Sequence, residues 1–162
     1  MIWPGAILEG MKLLRFAVLL AAFVVPADAA QQKPAPAAPG AQAITVYRTA
    51  TCGCCGKWVE HLEASGFTPT VHIVPSMDQA PPRKSVPPAL HSCHTATLEG
   101  YLVEGHVPAD VIRQLLKDRP KVQGIAVPGM PLGSPGMESP NPQPYDVLTF
   151  DASGKTTVFA SR

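Results

Sequence analysis

The chain has 162 residues, enough for one or at most two domains, and a formal net charge of +1 with 15% charged residues. The sequence has no stretch dense in lysine and arginine, so no nucleic-acid partner is expected. The positions of the 19 prolines and 4 cysteines are more informative than the totals, because the prolines cluster and three cysteines fall between positions 52 and 55.

The N-terminal segment has the pattern of a secretory signal peptide. Lys12 and Arg15 precede the apolar run FAVLLAAFVV at 16–25, and an Ala-x-Ala signature ends at Ala29. The apolar run has about ten residues, well short of the roughly 20 that a membrane-spanning helix needs. We therefore predict a signal peptide over 1–29, an exported protein, and no stable membrane anchor after cleavage.

A Pro/Ala-rich segment, AQQKPAPAAPGAQA, follows at 30–43. It has no periodic apolar face and is therefore predicted to be a disordered linker. The folded domain is expected to span 44–162. Since MKLLRFAVLL is already a complete signal opening, Met11 is an alternative start of the protein.

Seven elements are predicted in the folded part from alternation, helical periodicity and turn residues. In chain order they are a strand at 44–48, a helix capped by Thr51 and ended by Gly66, a strand at 70–74, a short helix opened by Ser76 and stopped by Pro81, a hairpin at 95–105, a helix opened by Pro108, and a hairpin at 145–160. Between the last two, residues 124–144 are predicted to be a functional or mobile Gly/Pro/Met loop.

The first six elements follow the order of a thioredoxin/glutaredoxin-like α/β domain, to which the last hairpin is a C-terminal extension. In that fold the loop before the first hairpin faces a Cys-x-x-Cys at the first strand-to-helix turn. Here that loop is HSCHT at 91–95, which places Cys93 and His94 opposite the other cysteines. In a rival register, Val127 and Pro128 would form the facing loop. The first register is preferred because the expected closing helix follows its hairpin.

The spacing Cys52-x-Cys54-Cys55 favours a chemical role for these cysteines over a stabilising disulfide, because a disulfide within four residues closes almost no loop. Unpaired N–H groups and the dipole at a helix N-terminus favour the thiolate form of Cys54 and Cys55. A dithiol exchanger needs only two cysteines and gains nothing obvious from a third. A structural zinc site usually uses two knuckles, and adjacent cysteines diverge too far to share one ion easily.

The same divergence suits several ions bridged by shared thiolates. Soft sulfur ligands select Cu(I), and an added imidazole also tolerates Cu(II), so copper is the favoured metal. Two alternatives stay open: a metal-free thiol–disulfide oxidoreductase that uses Cys52 and Cys55, and a structural zinc protein whose fold depends on the ion.

Other side chains are weaker candidate ligands. Met130 and Met137 offer soft thioethers in the 124–144 loop, with packing over the core as the simpler alternative. His91 lies near enough to be an accessory ligand. Three histidines receive structural interpretations: His61 as a solvated helix residue, His72 on a strand surface, and His106 as a residue that caps or positions the turn after the hairpin.

Four motifs, TCGCCGKW, SCHTATLEGYLVEGHVPADVI, GIAVPGMPLGSPGME and YDVLTFD, together resemble the CopG-like family of exported copper-resistance proteins of Gram-negative bacteria. The resemblance covers roughly 44–160. It implies a thioredoxin-like fold, a periplasmic location, and a cysteine-bridged cluster of several copper ions. The implied ligands are Cys52, Cys54, Cys55, Cys93 and His94.

The resemblance also implies interconversion of Cu(I) and Cu(II), and other periplasmic copper-handling proteins as partners. Metal binding is the primary role expected, and copper oxidoreductase activity is left open. One departure is DQAPPRKSVPP at 78–88, which the prolines interrupt where relatives are more helical, so the second helix is in doubt.

Overall fold

The computed structural model describes residues 41–162. The predicted signal peptide and residues 30–40 of the predicted linker lie outside the described residues. The helices and strands are β1 Gln42–Arg48, α1 Gly53–Ala64, β2 Phe67–Ile73, β3 His94–Leu98, β4 Tyr101–Glu104, α2 Ala109–Asp118, β5 Gly124–Ala126, β6 Asp146–Phe150 and β7 Thr156–Ser161. Within 41–162, neither helix has the length and apolar character needed to span a membrane.

The seven strands of residues 41–162 form one mixed sheet in the order β2-β1-β3-β4-β5-β6-β7. The pairs β1–β2 and β4–β5 are parallel, and the other four pairs are antiparallel. The predicted α/β class is confirmed, and the order β2-β1-β3-β4 is compatible with a thioredoxin-like arrangement. The predicted C-terminal hairpin is β6–β7, which extends the sheet at the far edge.

The two faces of the sheet are covered differently. Successive strand residues point to opposite faces, so Val103 of β4 packs in the cluster that contains both helices, while Leu102 packs in a second cluster. The second cluster includes Val86 and Leu90 from the proline-rich segment between β2 and β3. Each helix contributes a periodic apolar face to the first cluster, as the sequence predicts; these residues are Trp58, Val59, Leu62, Val111, Ile112 and Leu115.

The proline-rich segment forms three short 3₁₀ helices at Met77–Gln79, Pro81–Ser85 and Pro88–Leu90. The short turn opened by Ser76 ends before Pro81, as predicted, but Pro81 and Pro88 also begin further turns. Proline suits the first position of a helical turn because its fixed φ is already helical and its missing N–H would have no partner there. The segment is therefore ordered and covers the sheet.

Some boundaries differ from the predictions. β1 begins at Gln42, inside the segment predicted as linker. β2 begins at Phe67 and includes Pro69, which an edge strand tolerates because one row of its N–H groups faces away from the sheet. The α1 cap is Cys52, whereas Thr51 was expected.

The segment 124–144 contains a strand that the sequence analysis missed. β5 has only three residues, which is too short for an alternation of apolar and polar residues to predict a strand. Gly124 is required at its first position, because a Cβ there would lie 2.2 Å from the carbonyl oxygen of Leu102 on β4. The glycine that made the segment resemble a loop is what allows the strand to pair closely.

Candidate metal centre

The cysteine motif lies at the start of α1 and shapes that start. Cys52 has an extended backbone, and its Sγ accepts a hydrogen bond from the N–H of Cys55 at 3.3 Å, so the sulfur caps the helix. Cys54 and Cys55 occupy the first turn, where N–H groups lack intrahelical acceptors and the dipole stabilises negative charge. The local sequence therefore places three sulfurs at the positive end of a helix.

Cys52 and Cys55 are joined as a disulfide, and Cys54 and Cys93 are free thiols. Cys54 does not point away from the pair, because its Sγ lies 3.5 Å from the Sγ of Cys52. The Cys54 thiol therefore lies beside the Cys52–Cys55 disulfide and is not part of it.

The loop at 91–95 faces the cysteine motif, as the preferred register predicts. The Sγ of Cys93 lies 3.9 Å from that of Cys54, and the Cys93 carbonyl oxygen lies 3.5 Å from the Sγ of Cys55. All four Sγ atoms lie within 4.8 Å of one another. Burial, and then the neighbouring Cys54, raise the pKa of Cys93 to about 12. Without a cation, Cys93 is therefore a protonated thiol.

His94 lies behind this cluster as the first residue of β3 and is fully buried. Its Nδ1 is 3.3 Å from the Sγ of Cys93, and its ring packs 4.3 Å from the Trp58 ring, centroid to centroid. Burial, followed by the nearby His106, lowers its pKa to about 3, so the ring is neutral. Its Nε2 has no hydrogen-bond partner among residues 41–162.

His106 is a candidate ligand that the sequence analysis missed. It is fully buried; its Nε2 lies 3.0 Å from the Sγ of Cys93, and its Nδ1 lies 2.8 Å from the carbonyl oxygen of Pro135. Burial lowers its pKa as well. The register of the β3–β4 hairpin could have revealed this ligand. Thr95 pairs with Glu104, and extending that antiparallel register by two residues sets Cys93 opposite His106.

The Gly/Pro/Met loop covers the centre from the side of β5. Pro135 contacts His106, and Gly136 packs against α1, where a Cβ would lie 2.5 Å from the carbonyl oxygen of Cys54. Met130 is 51% exposed and Met137 is partly buried. Their role as ligands stays a prediction.

The remaining histidines have structural contacts. His91 has its Nε2 3.0 Å from the carbonyl oxygen of Val86, so this nitrogen faces the 3₁₀ segment. His72 is exposed on β2 and stacks on Tyr47. His61 was expected to be solvated; instead its Nε2 accepts a hydrogen bond from the N–H of Ala109 at the start of α2.

A buried ion pair fixes the facing loop. Glu104 is fully buried and accepts hydrogen bonds from Arg83 at 3.0 Å, from the N–H of Ser92 at 2.6 Å and from the Thr95 hydroxyl at 2.5 Å. Arg83 also donates to the carbonyl oxygen of Ser92. Burial raises the pKa of Glu104, and these donors oppose that rise. The network holds the residues on both sides of Cys93.

The donor set fits a soft metal ion. Four sulfurs and two imidazole nitrogens converge from the α1 N-terminus, the facing loop and the end of the hairpin. One buried imidazole nitrogen, Nε2 of His94, has no hydrogen-bond partner within the described part of the chain. Thiolate and imidazole together suit copper and zinc rather than magnesium or calcium. The fold and the centre define a mixed α/β protein with a cysteine-rich candidate metal site.

Comparison with known proteins agrees with this class. The family described as "Protein of unknown function, DUF411" matches residues 90–137, which include Cys93, His94 and His106. Two solved structures, forms 1 and 2 of copper resistance protein CopG, are each 46% identical to this chain with a TM-score of 0.70, and the alignments cover 75% of this chain and 98% of theirs. No curated protein matches significantly. The chain belongs to the CopG-like family of copper resistance proteins.

Proposed function

We propose that this protein is an exported, periplasmic copper-binding protein that contributes to copper resistance by holding more than one copper ion. The observation that supports this most is the approach of four Sγ atoms to within 4.8 Å, from a helix N-terminus and a loop about forty residues further along the chain. Membership of a copper-resistance family favours copper over zinc. The proposed ligands are Cys52, Cys54, Cys55, Cys93 and His94.

In the reduced state, the helix N-terminus stabilises thiolates on α1, and Cys93 closes the cluster from the facing loop. Thiolates that bridge two ions allow several Cu(I) ions to share four sulfurs. The adjacent imidazoles add borderline ligands, which favour retention of copper on oxidation to Cu(II) and support interconversion of the two states. Other periplasmic copper-handling proteins would deliver or receive this cargo.

Anaerobic reconstitution of the fully reduced protein with Cu(I), followed by metal and protein analysis, tests the cluster. We expect more than one copper per chain, and a clear loss of copper in Cys93→Ser because that sulfur joins the two segments. Ala50→Ser, at an exposed position beside the motif, is the matched control and should bind as the wild type does. Less than one copper per chain, or full binding by Cys93→Ser, would contradict the shared cluster.

A second candidate function is thiol–disulfide exchange, which the Cys52–Cys55 disulfide at the helix N-terminus favours. It predicts that the metal-free protein accelerates the reduction or oxidation of a model disulfide. Cys55→Ser should abolish that activity, whereas His94→Ala should retain it. For the copper protein, His94→Ala should instead alter copper binding, so one variant distinguishes the two functions.

A further inference from the structure

Two thiols remain when Cys52 and Cys55 are joined, and they lie side by side. Cys54 and Cys93 are free, and their Sγ atoms are 3.9 Å apart, which is a non-bonded contact. A disulfide bond is about 2.05 Å long, so the gap closes if each sulfur moves by about 1 Å. The Cys52–Cys55 disulfide uses neither sulfur. Residues 54 and 93 therefore form a second dithiol.

The two thiols have different surroundings. Cys54 is partly exposed and lies in the first turn of α1, where unpaired N–H groups and the helix dipole favour a thiolate. Cys93 lies in the facing loop, and its sulfur contacts two fully buried imidazoles. Because the thiolate is the species that attacks a disulfide, Cys54 is the better placed of the two to react with a disulfide from solvent.

His106 is placed to accept the proton of Cys93. Its Nδ1 lies 2.8 Å from the carbonyl oxygen of Pro135, and a carbonyl can only accept, so Nδ1 carries the hydrogen. The lone pair is then on Nε2, which lies 3.0 Å from the Sγ of Cys93. A nucleophile in contact with a base, which a third group orients, is the arrangement that activates thiols and hydroxyls. The Cys93 thiol is therefore paired with a neutral general base.

His94 approaches the same sulfur but is less suited to this role. Its Nδ1 is 3.3 Å from the Sγ of Cys93, and its Nε2 has no hydrogen-bond partner among residues 41–162 to fix the tautomer. Its ring lies 4.8 Å from the His106 ring, centroid to centroid, and packs against Trp58 on another side. We therefore assign His94 to the support of the His106 ring.

We propose that Cys54 and Cys93 form a second redox-active dithiol that reduces a small disulfide substrate, with His106 as the general base. The Cys54 thiolate attacks one sulfur of the substrate RSSR, so a Cys54–SR mixed disulfide forms and the first RS⁻ leaves. The Sγ of Cys93 then attacks the Sγ of Cys54, its proton passes to Nε2 of His106, and the second RS⁻ leaves. Two electrons and two protons move from the chain to RSSR, which becomes two RSH.

This dithiol is separate from the Cys52–Cys55 pair and does not depend on the proposed copper binding. In the product, Cys54 is bonded to Cys93 and Cys52 to Cys55, so none of the four sulfurs is left as a thiol. The oxidation state of the second dithiol therefore determines whether a chain with the Cys52–Cys55 disulfide keeps any thiolate to offer to a metal ion.

Reaction of the full, metal-free chain in its disulfide form with dithiobis(nitrobenzoate), an aromatic disulfide that releases a coloured thiolate, tests this. Thiol counting after denaturation should first find the two free thiols of each chain. In the native chain we expect release of two coloured thiolates and no retained aryl group, because Cys93 displaces the group that Cys54 acquires. Trypsin cleavage after Lys57 and Lys84 should then leave a fragment in which Cys54 is cross-linked to Cys93. Retained aryl groups, or no release, would overturn the proposal.

Two variants separate the roles of the residues. Cys93→Ser should release one coloured thiolate and retain one aryl group. In His106→Gln the first release should keep its rate, and the second should slow at least about tenfold, because the step loses its general base. His72→Gln, the same substitution at an exposed position of β2, should change neither rate.

An unaltered second release in His106→Gln, or equal slowing of both releases, would overturn the assignment of the base. The product analysis of the wild type does not depend on the folding of either variant. Since no metal is present in these reactions, failure of this proposal is distinct from failure of the copper cluster, which reconstitution with Cu(I) tests.

Discussion

The ion pair between Arg83 and Glu104 provides the sharpest test of how the centre is held. In Arg83→Met, the fully buried carboxylate loses its cation, and the carbonyl of Ser92 loses a donor. Breaking a buried pair by removing one partner costs about 3–5 kcal/mol, because the remaining charge is uncompensated. The Arg83 side chain is 11% exposed, so some water reaches it. We therefore expect the lower end, about 3 kcal/mol.

Urea unfolding of the disulfide form at neutral pH measures this loss. Lys84→Met is the matched control, because it removes a positive charge from an exposed neighbour in the same 3₁₀ turn and should change stability by less than about 0.5 kcal/mol. The double variant Arg83→Met/Glu104→Gln should recover at least about 1 kcal/mol relative to Arg83→Met, since no buried charge remains without a partner.

The pH dependence has a definite sign. Without Arg83, the remaining donors oppose the burial-driven rise in the pKa of Glu104 less strongly. The folded-state pKa of this carboxyl therefore lies still further above its unfolded-state value. Such a carboxyl favours the folded state as the pH falls, because the folded state then binds more protons than the unfolded state. The deficit of Arg83→Met should therefore shrink at acid pH. A loss below about 1 kcal/mol at neutral pH, or a deficit that grows on acidification, would refute this account.

Two further predictions concern elements around the centre. Burial lowers the pKa of His61, whose neutral Nε2 accepts a hydrogen bond from the N–H of Ala109. The stability that this side chain contributes is therefore complete above about pH 6.5, the ordinary pKa of histidine, and is lost as the pH falls below that value. His61→Gln keeps an acceptor that does not titrate, so its unfolding free energy should fall less than that of the wild type on acidification; parallel curves would contradict this. Both glycines have positive φ, so the backbone cost of alanine is common to the two, but only a Cβ at Gly136 would contact α1. This overlap should make Gly136→Ala at least about 1 kcal/mol more destabilising than Gly129→Ala in urea unfolding. Equal losses in the two variants would show that the contact has no effect.

The helices and most strands were predictable because the signals that define them are local. The periodic apolar faces of α1 and α2 and the alternation in β1 lie within a few residues of sequence. β5 was not predictable in this way, because three residues show no period and its pairing with β4 depends on Gly124. The regular structure of the proline-rich segment was also not predictable from local sequence, because it depends on the packing of Val86 and Leu90 against the sheet.

The amino-acid sequence by itself determined that Cys52, Cys54 and Cys55 lie at the start of a helix and that Cys93 and His94 precede a hairpin. It also contained the place of His106, since the hairpin register sets that residue opposite Cys93. These features follow from neighbouring residues and from the fixed geometry of antiparallel pairing.

Only the tertiary structure decided the rest of the centre. The contact between Pro135 and His106, the ion pair that holds the facing loop, and the division of the cysteines into one disulfide and two thiols join residues whose proximity no local pattern specifies. Such contacts depend on how the loops and 3₁₀ turns pack against the sheet. That packing decides which nitrogen of His106 faces the sulfur, and hence what Cys93 can bind.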